Sequence, residues 1–255
     1  MQIKDFEDLL VEDWTWRKKE VSDLILFAEK EENTVLLKSI ILLLYAHWEG
    51  YIKKSSKTYL KYICDNNHKL NELTDNFKAV ALKGLTGEVI KSGNTLSLQN
   101  ELLYIKKFSH LDNISIDHHI KIDLDDEKDK NIINTHDNLN PEIFGNILKI
   151  IGIDYKEQYD AKEIFINTYL LSNRNAIGHG SKELFKDENF EFKISSMKRL
   201  RDVILVIVEN FRDELIEFAH NSLYLKANEE KAKQLKQKFE SQLKDAFTEI
   251  DKAYA

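Results

Sequence analysis

Residues Val35–Ile63 read VLLKSIILLLYAHWEGYIKKSSKTYLKYI, and this stretch decides the fold class. Its first part is apolar on almost every side, which suits a helix wrapped by neighbours. From Tyr51 the pattern changes. Tyr51, Ile52, Tyr59, Leu60 and Ile63 take one side, while Lys53, Lys54, Lys57 and Lys61 lie elsewhere. We expect one long helix that begins in a core and emerges at a surface, with Asn33-Thr34 capping its start. The most apolar run, Val35 to Ala46, is too short to span a bilayer and continues into His47 and Glu49, so no membrane contact is expected.

Working outward, residues 5–30 form an amphipathic helix with Leu9, Leu10, Trp14, Val21, Leu24, Ile25 and Phe27 as its apolar positions. Residues 65–130 are the least regular, broken by Asn66, Asn67, Gly84, Gly87, Gly93 and Asn94, with short helices near 75–83 and 98–108. Ile114, Ile116, Ile120, Ile122 and Leu124 recur with period two, the pattern of a strand, and Phe190, Phe192 and Ile194 alternate in the same way. A small two-stranded β insert is therefore expected, with the acidic run Asp123–Asp129 as a solvated turn. Asn140-Pro141-Glu142 is a helix start and Gly152 its stop. Asp160 with Glu163 resembles a capping box opening a helix towards Arg174. Ser195 or Ser196 starts a long helix to about His220, and a charged helix covers roughly 224–250.

With 1 Pro, 8 Gly, 42% hydrophobic and 32% charged residues among 255, the composition points to an all-α helical bundle. We read one helical domain over 1–222, with the irregular insert at about 65–130. Residues 223–255 form a C-terminal charged helix packing on the body or on a partner. A net charge of -7 argues against indiscriminate coating of nucleic acid and leaves room for a local basic cleft. The lone Cys64 excludes an internal disulfide or a cysteine zinc cluster. The N-terminal MQIKDFEDLLVEDW lacks the layout of a signal peptide, and a cytoplasmic location is expected. No Walker-type loop, dinucleotide fingerprint, zinc-protease helix or serine elbow is present.

The stretch Leu170–Gly180, LLSNRNAIGHG, carries the chemistry. It places a permanent cation, an amide and an imidazole within six positions: Arg174, Asn175 and His179. Arginine binds phosphate and histidine moves protons. Five residues turn an ideal helix by about 140° beyond full turns, so Arg174 and His179 would not share a face. Gly178 and Gly180 permit a bend that would bring both onto one phosphate and expose His179. Asn175 is placed to orient a phosphate oxygen or the imidazole. The same residues could simply complement the carbonyls at a helix C-terminus.

The string RNAIGHG after an apolar helix resembles the Arg-x4–6-His signature of the HEPN superfamily. Leu44–Lys53, LYAHWEGYIK, is similar to the long early helix of the bacterial MAE-type HEPN ribonuclease family, and Asn138 to Gly152 resembles the segment that precedes the motif there. The resemblance spans roughly residues 20–220. It implies a helical bundle that dimerises, two Arg–His motifs lining a cleft at the two-fold axis, and RNA cleavage without metal or cofactor. Carried onto this chain, His179 acts as general base or acid on a ribose 2′-OH, Arg174 stabilises the phosphorane-like charge, and Asn175 positions the phosphate. Implied partners are the RNA substrate, a second copy of the chain and an antitoxin or defence-system partner, in bacterial defence or as a toxin. The alternatives are a non-catalytic HEPN module that binds RNA, nucleotide or protein, a toxin silenced by a nucleotidyltransferase antitoxin, and a helical adaptor docking through 224–250.

Further candidates remain. His47 and Glu49, two positions apart, do not share a helical face, and His47 is a candidate third polar group beside Arg174 and His179. Tyr51, Lys53, Lys54 and Lys57, with Tyr59, Lys61 and Tyr62, mix cations and aromatics as RNA-binding surfaces do. Asp117-His118-His119 with Asp123 and Asp125 invites a metal, but adjacent histidines on a strand point to opposite faces, and no metal is expected.

Overall fold

The computed structural model describes residues 1–31, 33–82, 99–111, 113–118, 120–124, 132–182, 184–187 and 190–255. Two long helices open the chain: α1 (Ile3–Lys30) and α2 (Thr34–Asp65). Asn33 caps α2 as expected, its side chain accepting from the Val35 N–H. Ring pairs Phe6–Tyr62, Trp14–Tyr51 and Trp16–His47 run in opposite order along the two helices, which therefore form an antiparallel hairpin. Leu9 and Phe27 lie on the outer face of α1, not in its seam.

Residues 75–82 form helical turns, α3, and Gln99–Leu111 form α4. After them come α5 (Pro141–Ile151), α6 (Glu157–Phe165), a π-helical stretch Ile166–Leu171 and α7 (Ser172–Gly178). The long α8 (Ile194–His220) and α9 (Glu229–Ala253) close the chain. Helix α8 is antiparallel to α1, through Glu7–His220, Lys18–Glu209 and Glu29–Lys198. Helix α9 is antiparallel to α8, through Tyr254–Asp202 and Asn210–Phe239. Phe239, Leu243, Phe247 and Ile250 are the buried stripe of α9, so its charged sequence packs on the body of its own chain. Helix α2 is long and apolar enough to cross a membrane. Here α1, α5, α7 and α8 pack against it.

The helix starts and stops follow their caps. Asn140 accepts from the Ile143 N–H, Pro141 occupies the first turn, and Gly152 adopts φ 77°, a left-handed conformation open to glycine. Two starts differ from expectation. Helix α6 begins at Glu157, before the Asp160–Glu163 pair, because the buried Lys156 fixes the chain there. Helix α8 begins at Ile194 with Lys193 as N-cap, before both serines.

The expected β insert is not formed among the described residues. Ile116–His118 is a single 3-10 turn, and Lys69–Ser115 and Asp187–Phe190 are isolated bridges. The alternating isoleucines are anchors instead: Ile116, Ile120 and Ile122 are buried in the core, with the Cys64 thiol of α2 donating to the Ile120 carbonyl. The Ile120 N–H closes a turn on the Ile116 carbonyl, where a strand would need a neighbour. Gly84, Gly87, Gly93, Asn94 and most of the acidic run Asp123–Asp129 lie outside the described residues.

Candidate active site

Helix α7 carries the Arg–His segment, and the π-helical stretch Ile166–Leu171 leads into it. Such wide turns shift the register of everything after them and recur at functional sites. The helix ends in a Schellman motif: the Ser181 N–H reaches the Ala176 carbonyl at 2.8 Å and the Gly180 N–H reaches that of Ile177 at 3.0 Å. Gly180 supplies the left-handed residue, φ 73°. The bend thus falls at Gly180, after His179, and Gly178 stays helical. Arg174 and His179 therefore remain on different sides of one helix. His179 is exposed at the C-cap, and its ring makes no hydrogen bond among the described residues. Buried Asn173 braces the turn from behind, giving its amide N–H groups to the Tyr169 and Phe185 carbonyls and accepting from the Phe185 N–H.

Arg174 is held from three directions. Its guanidinium carbon lies 4.3 Å from the centre of the Tyr45 ring. Nη1 donates to Asn175 Oδ1 at 2.7 Å, and Nη2 donates to the Asp137 carbonyl at 3.1 Å. Of its five N–H donors, three have no partner among the described residues. Asn175 uses its oxygen on Arg174 and keeps its amide nitrogen as a donor.

Tyr45 links the site to α2 and to the 135–139 loop. It is buried, and its hydroxyl accepts from the Leu139 N–H at 2.8 Å. Burial pushes its phenol well above the ordinary tyrosine range, with neighbouring Glu49 adding to the effect and Arg174 opposing it. In that loop His136 and Asp137 both adopt positive φ, 52° and 55°. Non-glycine residues in that region store strain, and they concentrate at functional sites. Asn138 Oδ1 is buried there without a partner among the described residues. Sequence reasoning quoted Tyr45 without assigning it a role and passed over Asp137. The available signal was the i, i+4 spacing of Tyr45 and Glu49.

The other candidates fall elsewhere. His47 does not approach Arg174. It faces α1, where Nε2 lies 3.0 Å from Glu20, Arg17 Nη1 stands 3.4 Å from Nδ1, and Trp16 packs edge-on. Burial and Arg17 lower its pKa, with Glu20 opposing. Residues 45 and 49 point to one side of α2 and residue 47 to the other, as a 100° step requires. Gly50 makes room for Arg17, whose Nη1 would stand 2.7 Å from a Cβ there.

The expected RNA-binding face on α2 is corrected. Tyr51 is 0% exposed, packs on Trp14 and donates to the Leu10 carbonyl. Lys57 is buried, Lys53 is half-buried, and Lys54 is ion-paired with buried Asp13 at 2.9 Å. Helix α1 covers Tyr51, while Lys54 keeps its side chain 53% exposed beside Asp13. Of the proposed metal string, His119 and Asp125 lie outside the described residues. Among those described, no three His, Cys, Asp or Glu side chains group closely enough to hold an ion.

No curated protein and no solved structure matches this chain. A family model described as HEPN_MAE_28990-like HEPN matches residues 6–224, which takes in α1 through α8, the Arg174–His179 segment, Tyr45 and the 135–139 loop. HEPN domains are often ribonucleases. By a match over most of its length, the chain belongs to the HEPN_MAE_28990-like HEPN family.

Proposed function

We propose that this HEPN domain is a metal-independent endoribonuclease. The observation that carries the reading is the posture of Arg174: stacked on Tyr45, pinned by Asn175 and Asp137, and left with three donors that no described residue takes up. A guanidinium fixed in this way is preorganised for the charge of a pentacoordinate phosphate and needs no rearrangement when that charge develops. His179, exposed a turn later, is free to take the proton from a ribose 2′-OH. That oxygen attacks the adjacent phosphorus, the P–O5′ bond breaks, and the products end in a 2′,3′-cyclic phosphate and a 5′-OH. Exposed Lys182 and Lys186, just past Gly180, supply cations for flanking phosphates.

The departing O5′ needs a proton. Arg174 and His179 sit on different sides of α7, so a single chain presents the two groups apart. Two copies related by a two-fold axis would bring the Arg174 of one chain beside the His179 of the other and supply a second imidazole as acid. A defence or toxin role, with an antitoxin or activator as partner, is part of the same proposal.

The test is cleavage of a mixed RNA panel in EDTA by wild type, Arg174→Ala and His179→Ala. Wild type should cut, and each variant should lose roughly 10²–10³-fold in rate. Activity that survives both substitutions would place the chemistry elsewhere. A folded, dimeric wild type that cuts nothing would leave a HEPN module without this activity.

A further inference from the structure

A second imidazole of the same chain stands next to Arg174. Nη2 of that arginine donates to the Asp137 carbonyl at 3.1 Å, and His136 is the residue just before Asp137. Bond lengths and this contact keep the His136 Cα within roughly 9 Å of Nη2, a gap that one imidazole and one phosphate bridge. His136 is exposed, and its ring makes no hydrogen bond among the described residues.

The loop is fixed at its feet and leaves this ring at its tip. Thr135 is buried, and its carbonyl accepts from the Asn138 N–H at 3.0 Å. The Leu139 N–H is held by the Tyr45 hydroxyl at 2.8 Å, and Asn134 Oδ1 accepts from the His136 N–H at 2.8 Å. These bonds carry His136 and Asp137 through two successive left-handed residues, φ 52° and 55°, a conformation that residues other than glycine visit singly. The strained turn thus offers a carbonyl to Arg174 and an imidazole to solvent from adjacent residues. Strain of this kind persists where the surrounding bonds over-determine it, and it collects at working sites.

An in-line displacement needs such a group. The attacking and leaving oxygens lie roughly on opposite sides of the phosphorus, so the imidazole that takes the 2′-OH proton is not placed to protonate O5′. His179 sits at the C-cap of α7, on a different side from Arg174, whereas His136 is tied to the loop that Arg174 itself grips.

We propose that His136 is the general acid of this site. The proposal rests on the nuclease reading of Arg174 and His179, and it puts the acid in the chain that supplies Arg174, in place of a second His179. Protonated His136 gives its ring proton to O5′ as the P–O5′ bond breaks, while His179 holds the proton taken from the 2′-OH. Exchange with water then resets both rings. In a two-fold cleft each Arg174 carries its own acid, so the cleft holds two complete sets of groups.

His136→Asn tests this, because asparagine accepts a left-handed φ and has no acid proton to give. In EDTA the variant should keep the wild-type melting temperature and cut an all-oxygen RNA roughly 10²-fold more slowly. The same RNA is then made with sulfur in place of the bridging O5′ at the scissile bond. Its leaving group is a thiolate, whose conjugate acid has a pKa of about 8.5 and which departs without a proton. On that strand His136→Asn should come within a few-fold of wild type, while Arg174→Ala and His179→Ala stay slow. The proposal is overturned if His136→Asn cuts the all-oxygen strand like wild type, which would leave the acid to a second His179. It is equally overturned if the variant is slow and sulfur does not rescue it, which would make His136 a positioning group. Both failures leave the nuclease reading standing, since Arg174→Ala and His179→Ala still lose cleavage. A wild type that cuts neither strand, or cleavage that survives both of those substitutions, overturns the nuclease reading and the acid with it.

Discussion

Tyr45→Phe is the perturbation that isolates how the site is held. The substitution keeps the ring beneath the Arg174 guanidinium, 4.3 Å away, and the edge contact with Trp48, and removes only the hydroxyl. That hydroxyl is the acceptor for the N–H of Leu139, a residue that is 0% exposed. Without it a buried donor is stranded, at a cost of about 1–3 kcal/mol. For a chain of this length each kcal/mol moves the midpoint by roughly 2–4 °C, so melting should fall by roughly 2–12 °C. The same change loosens the loop whose Asp137 carbonyl holds Arg174 Nη2. Cleavage should drop roughly tenfold or more, yet less than in Arg174→Ala, because a small misplacement of a catalytic group is costly. Urea unfolding with an unchanged m-value, run beside the RNA assay, reads both effects. Stability and cleavage both equal to wild type would refute the coupling of α2 to the 135–139 loop through Tyr45.

Three further outcomes follow from other contacts. Lys156→Met should cost about 3–5 kcal/mol in urea unfolding by stranding the Glu214 charge, while Lys156→Met/Glu214→Leu should recover most of it; a double variant as weak as the single would refute a buried pair. Because burial and Arg17 lower the His47 pKa, the fold favours the neutral ring, so its contribution is complete above about pH 6.5, the unfolded value, and is lost as pH falls below it. In stability–pH profiles His47→Gln should flatten that acid slope, and an unchanged slope would contradict the assignment. Gly180→Ala should destabilise by about 1 kcal/mol because its φ is 73°, whereas Gly178→Ala, helical with nothing within 4 Å of a Cβ, should stabilise α7 by about 0.5–1 kcal/mol, both read by thermal melting.

What the sequence made legible was local. Asn33, Asn140, Pro141, Gly152 and Gly180 act through bonds within a turn of themselves, and each set a helix end where its chemistry said it would. The long α2 was readable as one helix, but its burial runs opposite to the expectation that it emerges at a surface: Val35 and Leu42 near its start are exposed, whereas Ser55 to Leu60 are all buried. Period two failed at 114–124 because alternation reports which residues are buried, not whether a neighbouring backbone exists to pair with. Tyr51 and Lys57 of α2 misled for a related reason: a side chain's face can be counted along the sequence, but the elements that bury it cannot. Tyr45 and Arg174 lie 129 positions apart, and the Asp137 carbonyl carries no side-chain signature, so the support of the site could not be read from composition or spacing. The tertiary fold alone brings them together.

The most direct test of the central claim compares one RNA strand with its fully 2′-deoxy counterpart, in EDTA, with product ends identified. The mechanism written for Arg174 and His179 uses the 2′-oxygen as nucleophile, so wild type should cut the RNA, leave 2′,3′-cyclic phosphate and 5′-OH ends, and spare the deoxy strand, while His179→Ala cuts neither. Cleavage of the deoxy strand, or RNA products ending in 3′-OH and 5′-phosphate, would contradict it.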